Sequence, residues 1–195
     1  MERKQTKIWT PGQHFTHFTT RDENNERRIE GYFSVFGSEY ELWPGASESV
    51  DPHAFDGALQ DDVRALIDHD TRLVLGRTTA GTLTLRADEH GLFGSILINQ
   101  DDQDAMNLYA RVQRGDVSQC SFGFDILDEE YSHRDDGSDH WTIKSVKLYE
   151  VSVCTFPAYR ETEVEARRDD LKNIRSRQLE AWKAEQLAKL KGNRE

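Results

Sequence analysis

Trp141-Thr142-Ile143-Lys144-Ser145-Val146-Lys147-Leu148-Tyr149-Glu150-Val151-Ser152-Val153-Cys154-Thr155-Phe156, closed by Pro157, is the stretch on which the fold turns. It is rich in β-branched and aromatic residues and contains neither glycine nor proline, the make-up of a strand that packs on both sides. A strand this long needs several partners, and the residues before it supply them at close spacing. Gln119 to Leu127 reads as a strand, and the acidic residues 128–140 between the two read as a loop or hairpin tip. Gly81–Arg86 and Gly91–Ile98 alternate about an Asp88-Glu89-His90-Gly91 turn and form a hairpin. Val63–Asp68, Leu73–Gly76 and Arg28–Gly37 are further strands. Residues 38–52 read as a loop marked by Pro44-Gly45, and Pro52 to Gln60 opens a short helix behind an Asp51 cap.

One helix interrupts the strands. Residues 101–114 carry Met106, Leu108, Tyr109 and Val112 at helical spacing, with Asp102 or Asp104 as cap and Gly115 as stop. After Tyr159 the composition changes. Residues 162–191 hold no glycine or proline and are rich in Glu, Arg, Lys, Ala, Leu and Gln, a helix by propensity without a sustained heptad. The chain therefore divides into an N-terminal arm or edge strand (1–26), a β-rich body (27–160) and a charged helical tail (161–195). The fold class is α+β, mainly β, a closed or nearly closed antiparallel sheet with helices around it, because no βαβ alternation occurs. No GxGxxG or phosphate loop is present.

Composition removes several functions. The 195 residues carry 25 Lys/Arg and 36 Asp/Glu, a net charge of −11. The tail from 160 is slightly basic and the body strongly acidic, so no basic patch offers itself to nucleic acid. No apolar run is long enough to span a bilayer, and the polar Met1–Lys7 opens no secretory signal. Cys120 and Cys154 lack metal-type spacing and read as two reduced, buried thiols in a cytosol.

Three places carry possible chemistry. His69 ends an apolar segment between Asp68 and Asp70, where an imidazole is held yet reaches solvent, as a general base must. By spacing alone, a loop histidine beside two carboxylates is the simpler reading. In Gln119-Cys120-Ser121-Phe122-Gly123-Phe124, alternation sends the phenylalanines into the core and leaves Ser121 facing out or into a cleft, with Gly123 making room for a substrate backbone. An ordinary half-buried strand is the simpler reading of that pattern. Glu150 sits inside the most apolar strand, where a carboxylate needs solvent or a partner; paired to a histidine it would fix the tautomer. His133 and His140 flank an Asp-rich segment, but no HExxH or CxxC accompanies them, so no metal and no organic cofactor is expected.

These places coincide with a family pattern. Gly31-Tyr32-Phe33-Ser34-Val35-Phe36-Gly37, Pro52-His53-Ala54-Phe55, Asp68-His69-Asp70 with Leu75-Gly76-Arg77, Ser121-Phe122-Gly123-Phe124, and Glu150-Val151-Ser152-Val153-Cys154-Thr155-Phe156-Pro157-Ala158-Tyr159 occur in order. Together they resemble the prohead (capsid maturation) serine proteases of tailed phages, distant relatives of the herpesvirus assemblins, over about residues 28–162. Two positions depart from the usual pattern: His53, where glycine is common, and Cys120, where a larger apolar residue is common. The resemblance implies a closed seven-stranded, assemblin-like β-barrel surrounded by helices. It implies Ser121 as nucleophile, His69 as base and Glu150 as third member, with Asp68 or Asp70 as substitutes for that third role. The oxyanion donors are open: backbone amides near Ser121 and Gly123, or Arg77.

The implied substrates are the scaffolding segment of the major capsid protein, a separate scaffolding protein, and the protease itself. The arm and the tail are candidate self-cleavage or packaging segments. Relatedness to assemblins implies a homodimer, acting inside the immature capsid in the host cytoplasm, with no nucleic-acid or membrane partner. Three rival readings stand beside it: a non-enzymatic capsid-assembly protein on a degenerate protease fold, a metal-dependent hydrolase using His133 and His140, and a protease whose nucleophile is Ser118 or Cys120.

Overall fold

The computed structural model describes residues 7–9, 18–23, 25–156 and 160–192. The chain separates into two compact units, residues 1–158 and 159–195. In the first, the described strands are β1 (Lys7–Trp9), β2 (Thr19–Glu23), β3 (Glu26–Val35), β4 (Glu39–Trp43), β5 (Ala46–Val50), β6 (Arg64–Ile67), β7 (Asp70–Arg77), β8 (Leu83–Ala87), β9 (Gly91–Ile98), β10 (Gln119–His133) and β11 (Asp139–Cys154). Helix α1 (Gln103–Arg114) lies between β9 and β10. The second unit holds helix α2 (Arg160–Gly192), with exposed pairs such as Lys172–Asp169 and Lys183–Glu180 and with Leu179 and Trp182 exposed. Among the described residues no helix is long and apolar enough to cross a membrane.

The long strand is β11, and it organises the larger sheet. Its hairpin with β10 runs from Gln119↔Cys154 to His133↔Asp139, so the expected 128–140 loop shrinks to a turn around Asp135–Ser138. On its other edge β11 pairs in parallel with β5 through Asp139–Ile143 and with β6 through Glu150–Val153. β1 lies on the outer edge of β10, β4 on β5 and β7 on β6. A second sheet has the order β2-β3-β9-β8 and includes the expected β8–β9 hairpin.

Three expectations change here. The hydrogen-bond ladders draw two sheets and no closed antiparallel barrel among the described residues, and the larger sheet is mixed. The cause is that, on the edge away from β10, β11 is longer than either β5 or β6, so these short strands from distant parts of the chain share that edge in parallel. Residues 38–52 are not a loop but the β4–β5 hairpin, in which Tyr40 and Leu42 are buried and Glu39 and Glu41 exposed. The segment after Pro52 forms turns and a single 3₁₀ turn, Ala58–Gln60, rather than a regular helix. The alternating stretch His14–Thr19 lies outside the described residues, apart from Phe18 and Thr19.

Burial follows the pleat. Phe122 and Phe124 enter the core with Phe33, Phe55, Trp141 and Ile143, and Phe55 meets Phe122 at 5.5 Å between ring centres. Burying aromatic rings of this size removes roughly 150–250 Å² of surface each from water, the dominant stabilising contribution. Helix α1 packs Ala105, Leu108, Tyr109 and Val112 inward, with Asp102 accepting the amides of Asp104 and Ala105. Gly115, at φ 82°, ends it in the left-handed conformation open to glycine at little cost.

Candidate active site

β6 and β7 are joined by the two-residue turn Asp68-His69, with Ile67 paired to Asp70. Both turn residues have positive φ, 47° and 61°. Tight two-residue hairpins demand that conformation, and for residues other than glycine it costs roughly 1 kcal/mol or more each. The offsetting bonds come from the end of β11. Asp68 N–H donates to Val153 O at 3.1 Å, and His69 N–H donates to Ser152 Oγ at 3.2 Å. The Asp68 carboxylate accepts Thr155 N–H at 2.7 Å and its hydroxyl at 3.2 Å. The histidine is thus strapped onto β11 by its own backbone before its side chain makes any bond.

The side chain then meets Glu150. His69 Nδ1 lies 2.7 Å from Glu150 Oε1. An ionised carboxylate only accepts, so Nδ1–H donates, leaving Nε2 with its lone pair. Ser152 Oγ–H donates to the other carboxylate oxygen, Oε2, at 2.6 Å. Ser152 therefore holds the turn backbone and the carboxylate together. Beyond it, Cys154 Sγ lies 3.8 Å from His69 Nε2, a weak contact. Glu150, Ser152 and Cys154 are i, i+2 and i+4 on one strand, so they share a face, and the imidazole spans that row.

Ser121 is on the same face. The register pairs Ser121 with Ser152, Gly123 with Glu150 and Gln119 with Cys154, and directly opposed residues of an antiparallel pair project to the same side. The 52 positions between Ser121 and His69 in sequence are thus closed through β11: the serine faces the residue over which the imidazole lies. Ser121 and Ser152 are both fully buried, so of the two expected placements of Ser121, facing out or into a cleft, the outward one does not hold. The role expected for Gly123 changes as well. A Cβ there would lie 2.5 Å from Glu150 Oε1 and 3.1 Å from its Cγ, so the missing side chain makes room for the carboxylate and not for a substrate backbone.

The remaining candidates are engaged elsewhere. Asp70 is clamped by Arg72, whose hydrogen bonds hold its carboxyl down at about 2. Arg77 makes two bonds to Asp62, at 2.7 and 2.5 Å. Cys120 points to the opposite face, its thiol near the carbonyls of Tyr32 and Phe33, and Ser118 lies ahead of the strand. Cys154 was not among the expected site residues; burial pushes its thiol strongly up, so it stays protonated. His133 bonds Asp139, and His140 lies between the hydroxyls of Ser47 and Ser49 at 2.7 and 2.9 Å. Among the described residues no three His, Cys, Asp or Glu side chains are grouped to hold a metal ion.

His69 is thus paired with Glu150 on the sheet face that carries Ser121, and comparison with known proteins adds its own finding. Residues 16–177 match the family model of the caudovirus prohead serine protease. The chain belongs to this family. The prohead protease of Enterobacteria phage HK97 is 29% identical over 160 residues, covering 79% of this chain and 66% of that protein. The prohead protease of Escherichia phage T5 is 31% identical over 97 residues, covering 50% and 42%. The chain thus spans just under two thirds of the first relative's length and less than half of the second's. No solved structure matches the chain. What the residues add to family membership is Ser152, Cys154 and the part played by Gly123. The signal for them was the period-two row Glu150-Val151-Ser152-Val153-Cys154, legible once Glu150 is the anchor.

Proposed function

We propose that this prohead protease family member is a serine endopeptidase with Ser121 as nucleophile, His69 as general base and Glu150 as the group that orients it. The observation that carries this reading is the Glu150–His69 pair at 2.7 Å on the sheet face that Ser121 shares, Glu150 lying opposite Gly123 and two residues from Ser152, the partner of Ser121. Nε2 of His69 takes the Ser121 proton as Oγ attacks the peptide carbonyl. The resulting tetrahedral intermediate collapses to an acyl-enzyme, and the amine leaves with the proton from Nε2. Water, deprotonated by the same nitrogen, then attacks the ester; the acid departs and Ser121 recovers its proton. Glu150 stabilises the imidazolium in both halves. Loss of one oxyanion donor commonly costs about 10²–10³ in rate, and backbone amides at Ser121 and Gly123 are the candidates, since Arg77 is spent on Asp62.

The substrates in this reading are the scaffolding segment of the major capsid protein, a separate scaffolding protein, and the chain itself. Cleavage takes place inside the immature capsid in the host cell. A homodimer and an assemblin-like origin of the fold belong to the same proposal and rest on family resemblance. The test is phosphonylation by a fluorophosphonate probe, mapped by peptide mass, alongside cleavage of a capsid scaffolding peptide. Label on Ser121, with both activities gone in Ser121→Ala, is the expected result. Undiminished cleavage by Ser121→Ala would refute the assignment.

A further inference from the structure

Strand β1 occupies a place that a protease substrate would need. β10 has two edges. β11 takes the inner one from Gln119 to His133. Among the described residues only β1 pairs with the outer one, antiparallel, with Lys7↔Phe124, Ile8↔Gly123 and Trp9↔Phe122. The described register reaches Phe122, the residue next to Ser121. Adjacent strands lie about 4.8 Å apart, so the carbonyls of a strand added at this edge come within reach of a side chain on the neighbouring rung. Extended peptides bind open sheet edges in this manner, their main-chain bonds setting register and leaving side-chain pockets to set specificity.

We propose that the outer edge of β10 at Phe122–Phe124 is the substrate-binding edge, that it receives substrate as an antiparallel strand, and that in the resting chain the N-terminal strand fills it in cis. This rests on the serine protease reading. Three observations carry it. Among the described residues β1 is the one strand on that edge, so displacing it frees the positions next to Ser121. It is antiparallel, and its described register reaches Phe122, the neighbour of Ser121. Ser121 itself is fully buried, as expected of a site closed to outside substrate. A tethered segment also acts at an effective concentration near the millimolar range, enough to exclude free peptides that bind more weakly than that. Substrate on a densely packed capsid lattice escapes this exclusion because its own local concentration is as high.

The experiment uses the full chain carrying Ile8→Pro or Trp9→Pro. Neighbouring strand residues point their amides to opposite edges, so one of the two removes a ladder bond to β10. The readout is the rate of fluorophosphonate labelling of Ser121, with thermal melting as a check on folding. At least a fivefold to tenfold faster label in one variant is expected. A synthetic peptide of residues 5–12 should slow that variant back to the parental rate, and the same peptide with proline at both 8 and 9 should not. If labelling is equal in all three chains and the peptide has no effect, β1 is not an occupant of the substrate edge, and the protease reading stands untouched. If Ser121 takes no label in any chain and scaffolding peptide is still cut, both proposals fall. The peptide arm decides the matter even if a proline variant melts early, because it also applies to the parental chain, where it should compete with scaffolding peptide.

Discussion

Gly123→Ala tests how the site is assembled. The added methyl would sit 2.5 Å from Glu150 Oε1, 3.1 Å from Cγ and 3.2 Å from Cδ. Restoring the closest approach to an ordinary 3.4 Å contact displaces the carboxylate by about 0.9 Å. That oxygen cannot swing freely. It accepts from His69 at 2.7 Å, while its partner oxygen accepts from Ser152 at 2.6 Å. Moving it breaks or stretches both bonds and tilts the imidazole. A displacement near 1 Å in catalytic geometry commonly costs on the order of 10²-fold in rate. Folding should suffer little, about 1 kcal/mol, because one side chain absorbs the strain. The assay is the labelling rate of Ser121, measured in Gly123→Ala, Glu150→Ala and the double variant. If the methyl acts through the carboxylate, the double variant is no slower than Glu150→Ala alone, the non-additivity expected of groups in contact. Full activity in Gly123→Ala, or losses that multiply in the double variant, would refute the reasoning. The second outcome would return Gly123 to the role of making space for a substrate backbone.

Other substitutions probe the surrounding network. Asp68→Ala removes the acceptor for Thr155 and places alanine at positive φ, so urea unfolding should show a loss of about 2 kcal/mol with a slower label on Ser121; Asp68→Asn, which tolerates that φ and still accepts, should recover most of both. Cys154→Ala should keep the labelling rate of Ser121 within about threefold, because a buried thiol held protonated is no nucleophile; complete loss would implicate the sulfur instead. Arg134 holds the Glu39 carboxyl down from 4.5 to about 2, so this pair stabilises the fold above pH 4.5 and its contribution disappears as pH falls toward 2. Half-exposed pairs are screened, so Glu39→Gln should cost about 0.5 kcal/mol at pH 6 and nothing near pH 2 by chemical denaturation.

Much of the local structure was legible without coordinates. The run from Trp141 to Cys154 carries no helix-compatible stripe and no breaker, so only a strand suits it. Asp102 and Gly115 bracket α1 because a side-chain acceptor and a left-handed residue are local requirements of helix ends. Phe122 and Phe124 alternate with Ser121 and Gly123, and the pleat alone sends them to opposite faces. The β4–β5 hairpin was legible in principle, since Tyr40 and Leu42 alternate with Glu39 and Glu41, but the Pro44-Gly45 turn signal and the short strands read as one loop.

Position across the sheet is a different matter. Nothing in residues 64–67 or 46–50 announces that both lie parallel to β11; that choice depends on which edge remains open once β10 is paired. Because β6 takes that edge, its turn places His69 over Glu150, 81 residues away in the chain. The register of β10 against β11 then sets Ser121 opposite Ser152 and leaves the space above Gly123 to the carboxylate. Alternation, caps and turns are decided within a few residues and so are written locally. Register and edge occupancy are decided by which distant surfaces can be buried together, and that competition is settled only when the whole chain packs.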